Sequence, residues 1–452
     1  MGQPSDVLEE KIRVFVRSRP PQPDDDAAPP EDGGGFFLGG GDVAPASPAS
    51  CLDEWSADGR VVYRKPGASP ETARAFQFSG VFGPEATQAD VYAACAADVV
   101  AAAAAGYNGT VVAYGQTGAG KTHTMRGVEA PGKALHADAG VVPRALRDLF
   151  AAQGAAARDG VELSVSVSYV QIYCEALLDL LDPSSAGNLS IRERPAHAGG
   201  GVFVEGLARV PAESAEAAWD LLAAGDARRA TAATSRNAAS SRSHACFLVH
   251  VERRPRLGPR GTSGDVPPRR STLTLVDLAG SERAAAVAGK PQRLEECKAI
   301  NASLAALGNC VAALAKGRPH VPYRDSKLTR LLSASLGGAA RTSLVAALVP
   351  GGDAGGESRS TLEFAGRAAR VAVRAAPAEV AVDYEALHAE AAARVDALEA
   401  GQQKGATFPT SKAHISAIFH SFRLTFGRAI ISRNGLEAWM LIPERARAEH
   451  SR

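Results

Sequence analysis

Eight consecutive residues carry the clearest chemistry in the chain: Gly115-Gln116-Thr117-Gly118-Ala119-Gly120-Lys121-Thr122. Their spacing is that of a phosphate-binding loop, GxxxxGK[ST]. The glycines let the backbone wrap around a phosphate with its N–H groups turned inward, and the helix that follows adds its positive N-terminal end. Lys121 then reaches the β- and γ-phosphates of a nucleotide, and the Thr122 hydroxyl binds Mg²⁺. The context agrees: the apolar run 110–113 reads as a strand entering the loop, and a helical pattern follows it.

Two further segments can complete such a site. Asp277-Leu278-Ala279-Gly280-Ser281-Glu282 follows the apolar run 272–276. An aspartate at a strand end is placed to hold a metal-bound water, and Gly280 lets a backbone N–H approach the terminal phosphate. Taken alone, DxxG is also an ordinary turn. The run 237–244 packs Ser240, Ser241 and Ser243 around Arg242 and ends in His244. Alone, those serines are as consistent with a plain loop.

The elements around these segments alternate. Residues 11–16 read as a strand that Pro20 ends, with strands also at 163–172, 246–251, 271–276 and 343–349. Helices are predicted at 141–150, 215–224 and 360–371, and a long one at 294–315, where Ile300, Leu304, Leu307, Val311 and Leu314 recur at helical spacing. Residues 91–107 predict an amphipathic or buried helix rather than a membrane span, being mostly alanine with Asp98 inside. This order predicts an α/β fold, a central β-sheet flanked by helices on both faces. Two Pro- and Gly-rich stretches, about 21–50 and 253–270, have little to bury and are expected to be disordered insertions, the second joining two antiparallel strands. Residues 383–400 form a short helix pattern, too short for a stable coiled coil, and 404–452 carry no motif.

Composition sets few further limits. The 452 residues suit one large α/β domain with a small appendage, at 45% apolar and 22% charged. A net charge of +1 gives no global bias toward nucleic acid or membrane, so an acidic partner must be met by a local basic patch. The N-terminus lacks the pattern of a signal peptide. Cys51, Cys95, Cys174, Cys246, Cys297 and Cys310 form no CxxC pair or zinc spacing and are read as thiols of a reducing compartment.

Together these segments resemble the kinesin motor domain over residues 12–373. The run from Tyr107 through the phosphate loop to His123 and Met125 resembles that family's P-loop signature, 237–244 its switch I, and 275–283 its switch II. Arg17-Ser18-Arg19-Pro20 resembles the RxRP element used against the adenine ring. The stretch His320 to Arg330 with 335–338 resembles the tubulin-facing loop and the helix after it, and 360–365 the last motor helix.

The resemblance implies a P-loop NTPase fold, ATP and Mg²⁺ as ligands, and a microtubule-stimulated ATPase that drives movement. It assigns Thr122 and Ser241 to Mg²⁺, with Asp277 acting through water, Ser240 to the γ-phosphate, and Arg242 to Glu282 when the switches close. The long helix should then lie on the microtubule, coupling phosphate state to track affinity. Microtubules are acidic, so Arg324, Lys327 and Arg330, with Lys298, become the implied contact, although without the motif they would be an ordinary solvated cluster.

Cytoplasm and cytoskeleton are the implied locations. Residues 107–110 and 171–173 and the Tyr384 segment resemble a ciliary ninth subfamily, which would add the cilium. Ala302 stands where the family has lysine and Ala339 where it has asparagine after glycine; in the neck-linker segment 371–380 Val371 and Val373 alternate as a docking strand would until Pro377 cuts it short, and 374–403 are expected to hold the neck linker and the short helix. The competing readings are a non-motile ATPase acting on filament ends and a nucleotide-gated microtubule scaffold. A myosin is the nearest rival motor, but Gly280–Glu282 and the serine-arginine-serine-histidine run favour kinesin.

Overall fold

The computed structural model describes residues 7–22, 52–56, 58–64, 69–128, 135–182, 184, 189–194, 201–231, 242–255, 269–282, 291–350 and 355–377. The two expected insertions, the short helix pattern and the C-terminal stretch lie almost wholly outside these residues. Two units divide the chain. One comprises 1–158, 162–253 and 268–380; of the other (159–161, 254–267 and 381–452) only 159–161 and 254–255 are described.

Chain order begins with β1 (Leu8–Lys11), β2 (Arg13–Ser18), β3 (Leu52–Trp55), β4 (Arg60–Tyr63), β5 (Arg74–Gln77) and β6 (Gly80–Phe82). Helices α1 (Gln88–Cys95) and α2 (Ala97–Ala104) precede β7 (Asn108–Tyr114), α3 (Lys121–Met125) and α4 (Val141–Arg158). Next come β8 (Val161–Tyr173), β9 (Ala176–Asp179), β10 (Ser190–Glu193), β11 (Val202–Glu205), β12 (Val210–Ala212) and α5 (Ala215–Thr231). The described chain closes with β13 (His244–Pro255), β14 (Arg269–Asp277), α6 (Pro291–Ala315), α7 (Lys327–Leu331), α8 (Ser333–Gly337), β15 (Ala340–Leu348), α9 (Gly355–Ala368) and β16 (Ala372–Ala375).

A nine-stranded mixed sheet runs β12-β8-β13-β14-β7-β15-β2-β6, with β9 added beside β8. Its centre is parallel: β14 and β15 flank β7, and β2 lies between β15 and β6. Every residue of β7 after Asn108 is buried, which is why it reads as a continuous apolar run rather than an alternating one. Val112 and Tyr114 face a core shared with Ile300, Leu304, Leu307 and Val311 of α6 and Leu362 and Phe364 of α9, where the Tyr114 and Phe364 rings stack at 4.1 Å. Helix α2 packs against β7 and β14. The predicted helical spacing of 300–311 is therefore the core face of α6. By length and composition 296–315 would also suit a membrane span, but its apolar side chains serve this core.

The helix predicted at 91–107 is two helices. Arg13 Nη1 donates to Ala94 O at 3.3 Å and Nη2 to Cys95 O at 3.4 Å, taking the last carbonyls of α1 with a cation at its negative end. The start of α1 is held by a capping box: Asp90 N donates to Thr87 Oγ1 at 3.2 Å and Thr87 N to Asp90 Oδ2 at 3.1 Å.

Strands β13 and β14 pair antiparallel from Ala245↔Asp277 to Arg253↔Arg269, as expected of a hairpin with a long tip. After α9 the chain becomes β16, which pairs antiparallel with β1 from Leu8↔Ala375 to Lys11↔Ala372. Val371 and Val373 are buried, and the strand stops two residues before Pro377. Among the described residues Cys95, Cys174, Cys246, Cys297 and Cys310 are free.

Candidate nucleotide site

The register of the sheet assembles the site. Val276↔Val112 and Asp277↔Ala113 are parallel partners, so the carboxylate ending β14 arrives beside the loop that leaves β7. Gly115 has φ +146°, and a side chain there would put its first carbon 2.2 Å from Ala347 O of β15, so only glycine turns the corner. Gly118 and Gly120 hold φ values of +80° and +94°, with nothing within 4 Å of where a Cβ would stand. The loop is an open cradle of backbone opening onto α3.

Thr122 Oγ1 donates to Asp277 Oδ2 at 2.7 Å. The other oxygen, Asp277 Oδ1, is buried with no hydrogen-bond partner among the described residues. A buried carboxylate with an open acceptor beside a threonine hydroxyl is the donor set a hydrated Mg²⁺ requires. Lys121 is 6% exposed, and its Nζ donates to Gln116 O at 2.8 Å. Burial pulls its ammonium below the ordinary value, while Asp277 and Glu282 push it back up. The cation is thus held within the loop, where an anion would find it desolvated. These residues fit ATP with Mg²⁺.

Glu282 reaches across to the loop: Thr117 N donates to its Oε2 at 2.8 Å and Thr117 Oγ1 to its Oε1 at 2.5 Å. Gly280 lies beneath this bridge, and a Cβ there would meet Thr117 Oγ1 and Glu282 Oε2 at 2.2 Å each. Arg242 Nη1 pairs with Glu296 Oε2 at 3.2 Å, and Tyr173 OH donates to Glu296 Oε1 at 3.1 Å. The two groups expected to meet, Arg242 and Glu282, therefore each hold a different partner here. Ser240 and Ser241 lie outside the described residues.

One cleft gathers Arg17, Arg19, Pro20, Ala119, Gly120 and His123. Arg17 Nη1 donates to Gln88 Oε1 at 2.8 Å and to Thr124 Oγ1 at 2.9 Å. Arg19 Nε donates to Gly118 O at 2.8 Å. Gln88 Nε2 donates to His123 O at 2.8 Å. The RxRP run and the phosphate loop, about a hundred residues apart in sequence, share one cleft.

Sequence reasoning missed Arg229. Its side chain is 4% exposed, and it places Nε 3.1 Å from Ser243 Oγ, Nη2 2.8 Å from Ser243 O and Nη1 3.7 Å from Asp277 Oδ2. It backs the metal-side carboxylate and the root of the 237–244 segment at once. Its neighbour Arg228 gives no distinguishing signal, and only their different positions on α5 separate them.

The basic residues predicted as a contact are partly engaged within the chain. Arg324 Nη2 lies 3.0 Å and Arg330 Nη2 3.3 Å from Glu193 Oε1, and the Arg324 hydrogen bond holds the Glu193 carboxyl below its ordinary range. Lys298 and Ala302 are exposed on the same side of α6, one turn apart. Lys327 opens α7, where its N–H and the Ser326 hydroxyl donate to Glu175 at 2.8 and 2.7 Å. Cys174 and Glu175 have φ of 47° and 58°, so this carboxylate is delivered from a turn with both residues left-handed.

Comparison with known proteins gives a consistent picture. The kinesin motor domain family matches residues 47–371. The match leaves out β2 with Arg17–Pro20, whose place in the sheet comes from its parallel pairing with β15. Kinesin-like protein KIN-UB of Arabidopsis thaliana is 38% identical over 82% of this chain, and the chain spans 40% of that relative's length. KIF15-B of Xenopus laevis is 40% identical over 81% of this chain and 26% of its own. A solved fast kinesin superposes with a TM-score of 0.68 at 34% identity, over 83% of this chain and 96% of its own.

Proposed function

The chain belongs to the kinesin family, and on that premise we propose that it is a microtubule-stimulated ATPase motor, hydrolysing ATP with Mg²⁺ and moving on microtubules. The single observation that carries this reading is the double contact that the GxxxxGK[ST] motif makes with the end of β14 and the segment after it: Thr122 on Asp277 and Thr117 on Glu282. A group that senses the γ-phosphate and a group that holds the metal are already joined to the loop, so a bound nucleotide must rearrange both.

In this reading the backbone of 115–120 and Lys121 bind the phosphates, and the cleft with Arg17, Arg19, Pro20 and His123 takes adenine and ribose. Thr122 and Ser241 would hold Mg²⁺ with Asp277 acting through water, and the ion would supply charge neutralisation at the phosphates. Ser240 contacts the γ-phosphate. Gly280 N–H approaches it once Glu282 leaves Thr117. Glu282 and Arg242, exchanging Thr117 and Glu296 for each other, close the site and orient the attacking water. Phosphoryl transfer needs this positioning more than covalent chemistry.

The release of Glu296 by Arg242 passes the change to α6, whose exposed face bears Lys298. That face, with Arg324, Lys327 and Arg330, would meet acidic tubulin in competition with Glu193. Residues 1–373 form the motor domain in this proposal, 374–403 a linker that begins as β16 against β1, and 404–452 a tail. Association with the cytoskeleton in the cytoplasm follows, and a ciliary site is not part of the proposal.

The test is ATP turnover of the full chain with and without taxol-stabilised microtubules, beside Glu282→Ala. Stimulation in the wild type that vanishes in the variant is expected. Bound ATP with no stimulation by microtubules would overturn the motor reading.

A further inference from the structure

His244 is 2% exposed at the first position of β13, beside Ala245, which pairs with Asp277. A buried histidine is most often a satisfied core group. Here its two partners sit on the two elements that the proposed cycle must move. Ala279 N lies 3.1 Å from Nδ1, and Ser303 Oγ of α6 lies 2.8 Å from Nε2.

The hydrogen positions follow from valence. A backbone N–H can only donate, so Nδ1 must be the acceptor. The proton of the neutral ring is then on Nε2, and Ser303 Oγ accepts it. The serine's own hydrogen goes to Ile300 O at 2.7 Å, one turn back in α6. Every donor has one acceptor, and the chain of bonds runs in one direction from the loop after β14 into α6. The opposite tautomer breaks both outer bonds. An imidazolium would turn a second N–H against that of Ala279, with Arg229 of α5 and Lys121 of the phosphate loop adding cationic charge nearby.

We propose that His244 is a positioning residue whose neutral imidazole, protonated on Nε2, ties the Ala279 backbone to Ser303, so that the 277–282 segment and α6 shift as one body. The site thus transmits through two routes, the Arg242–Glu296 pair, which exchanges partners, and the His244 tie, which does not. The kinetic consequence rests on the function proposed above, whereas the tautomer does not.

The experiment has two arms on the full chain. Long-range ¹H–¹⁵N NMR with ¹⁵N-histidine labelling, assigned by His244→Gln, reads which ring nitrogen carries the proton. A single Nε2–H form that persists to pH 5 is expected, and an Nδ1–H form or an imidazolium overturns the proposal. The second arm compares Ser303→Ala with Ser303→Thr, which keeps the hydroxyl. Ser303→Ala should lower microtubule stimulation by about fivefold or more, the low end of site-to-site coupling, with turnover in the absence of microtubules unchanged and stimulation recovered in Ser303→Thr. Stimulation equal to wild type in Ser303→Ala overturns the tie. A wild type that microtubules do not stimulate refutes the functional proposal instead, and the NMR arm still decides the inference.

Discussion

Lowering the pH from 8 to 5 should destabilise the unit that holds the sheet, and two histidines set the size of the effect. Burial drives His244 and His250 from the ordinary value of 6.5 to about 3. His250 sits between Ser168 Oγ at 3.0 Å and Thr272 Oγ1 at 3.3 Å, with Arg209 and Arg194 adding to the shift. Between these pH values the unfolded chain takes up a proton at each ring and the folded chain does not. Stability is therefore full above about 6.5 and falls as the pH drops toward 3. At pH 5 the loss is about 2 kcal/mol per histidine, about 4 kcal/mol together. His123 is displaced in the same direction and adds to the loss. Asp226, whose carboxyl burial pushes up, works against it.

Urea unfolding at pH 8, 6.5 and 5 measures the slope, and His250→Gln isolates one ring. The variant should lose about 2 kcal/mol less than wild type over the same range. Equal losses in the two proteins would mean that His250 titrates alike folded and unfolded, and the assignment of the slope to buried imidazoles would fail.

Arg229→Met should cost about 3–5 kcal/mol, because it removes one of the two buried cations beside Asp277 and leaves Ser243 O without its guanidinium donor; a melting temperature within a degree of wild type would show that Lys121 alone neutralises that carboxylate. Cys174→Asn should raise stability by about 0.5–1 kcal/mol, since asparagine tolerates the left-handed backbone that cysteine adopts there at φ 47°. Denaturant midpoints measure it, and a lower midpoint would mean that the cysteine side chain contributes more than its backbone strain costs.

Long-range pairing explains what could be read from residue order and what could not. The apolar spacing of α6, the apolar strand of β7 and the glycine loop that follows it are local patterns, and the structure has a helix, a strand and a strand-to-helix turn there. Asp277 is legible because it ends an apolar strand, the position at which such folds hold a metal-bound water. Arg13 was read simply as a strand residue, yet it divides 91–107 into two helices by taking carbonyls more than eighty positions away. Arg229 and Glu296 belong to the site through burial and through ion pairing across elements, neither of which has a period in sequence. The motif predicts that Arg242 meets Glu282, and the structure holds each against another partner, since a motif records which groups can pair and not which pair is made in a given state.

The pairing of β1 with β16 has a consequence for how the protein is made. Leu8 leaves the ribosome long before its partner Ala375, which is among the last residues of the unit. Strand β2 likewise lies between β15, synthesised late, and β6, synthesised early. The edge of β2 that pairs with β6 can form early, but the edge that pairs with β15 stays open until residue 348 has emerged, and β1 waits longer still. Folding is thus committed to contacts of very high sequence separation, which are slow to form. Through most of synthesis the nascent chain carries a strand with one open edge, whose Val14 and Val16 the finished protein buries fully.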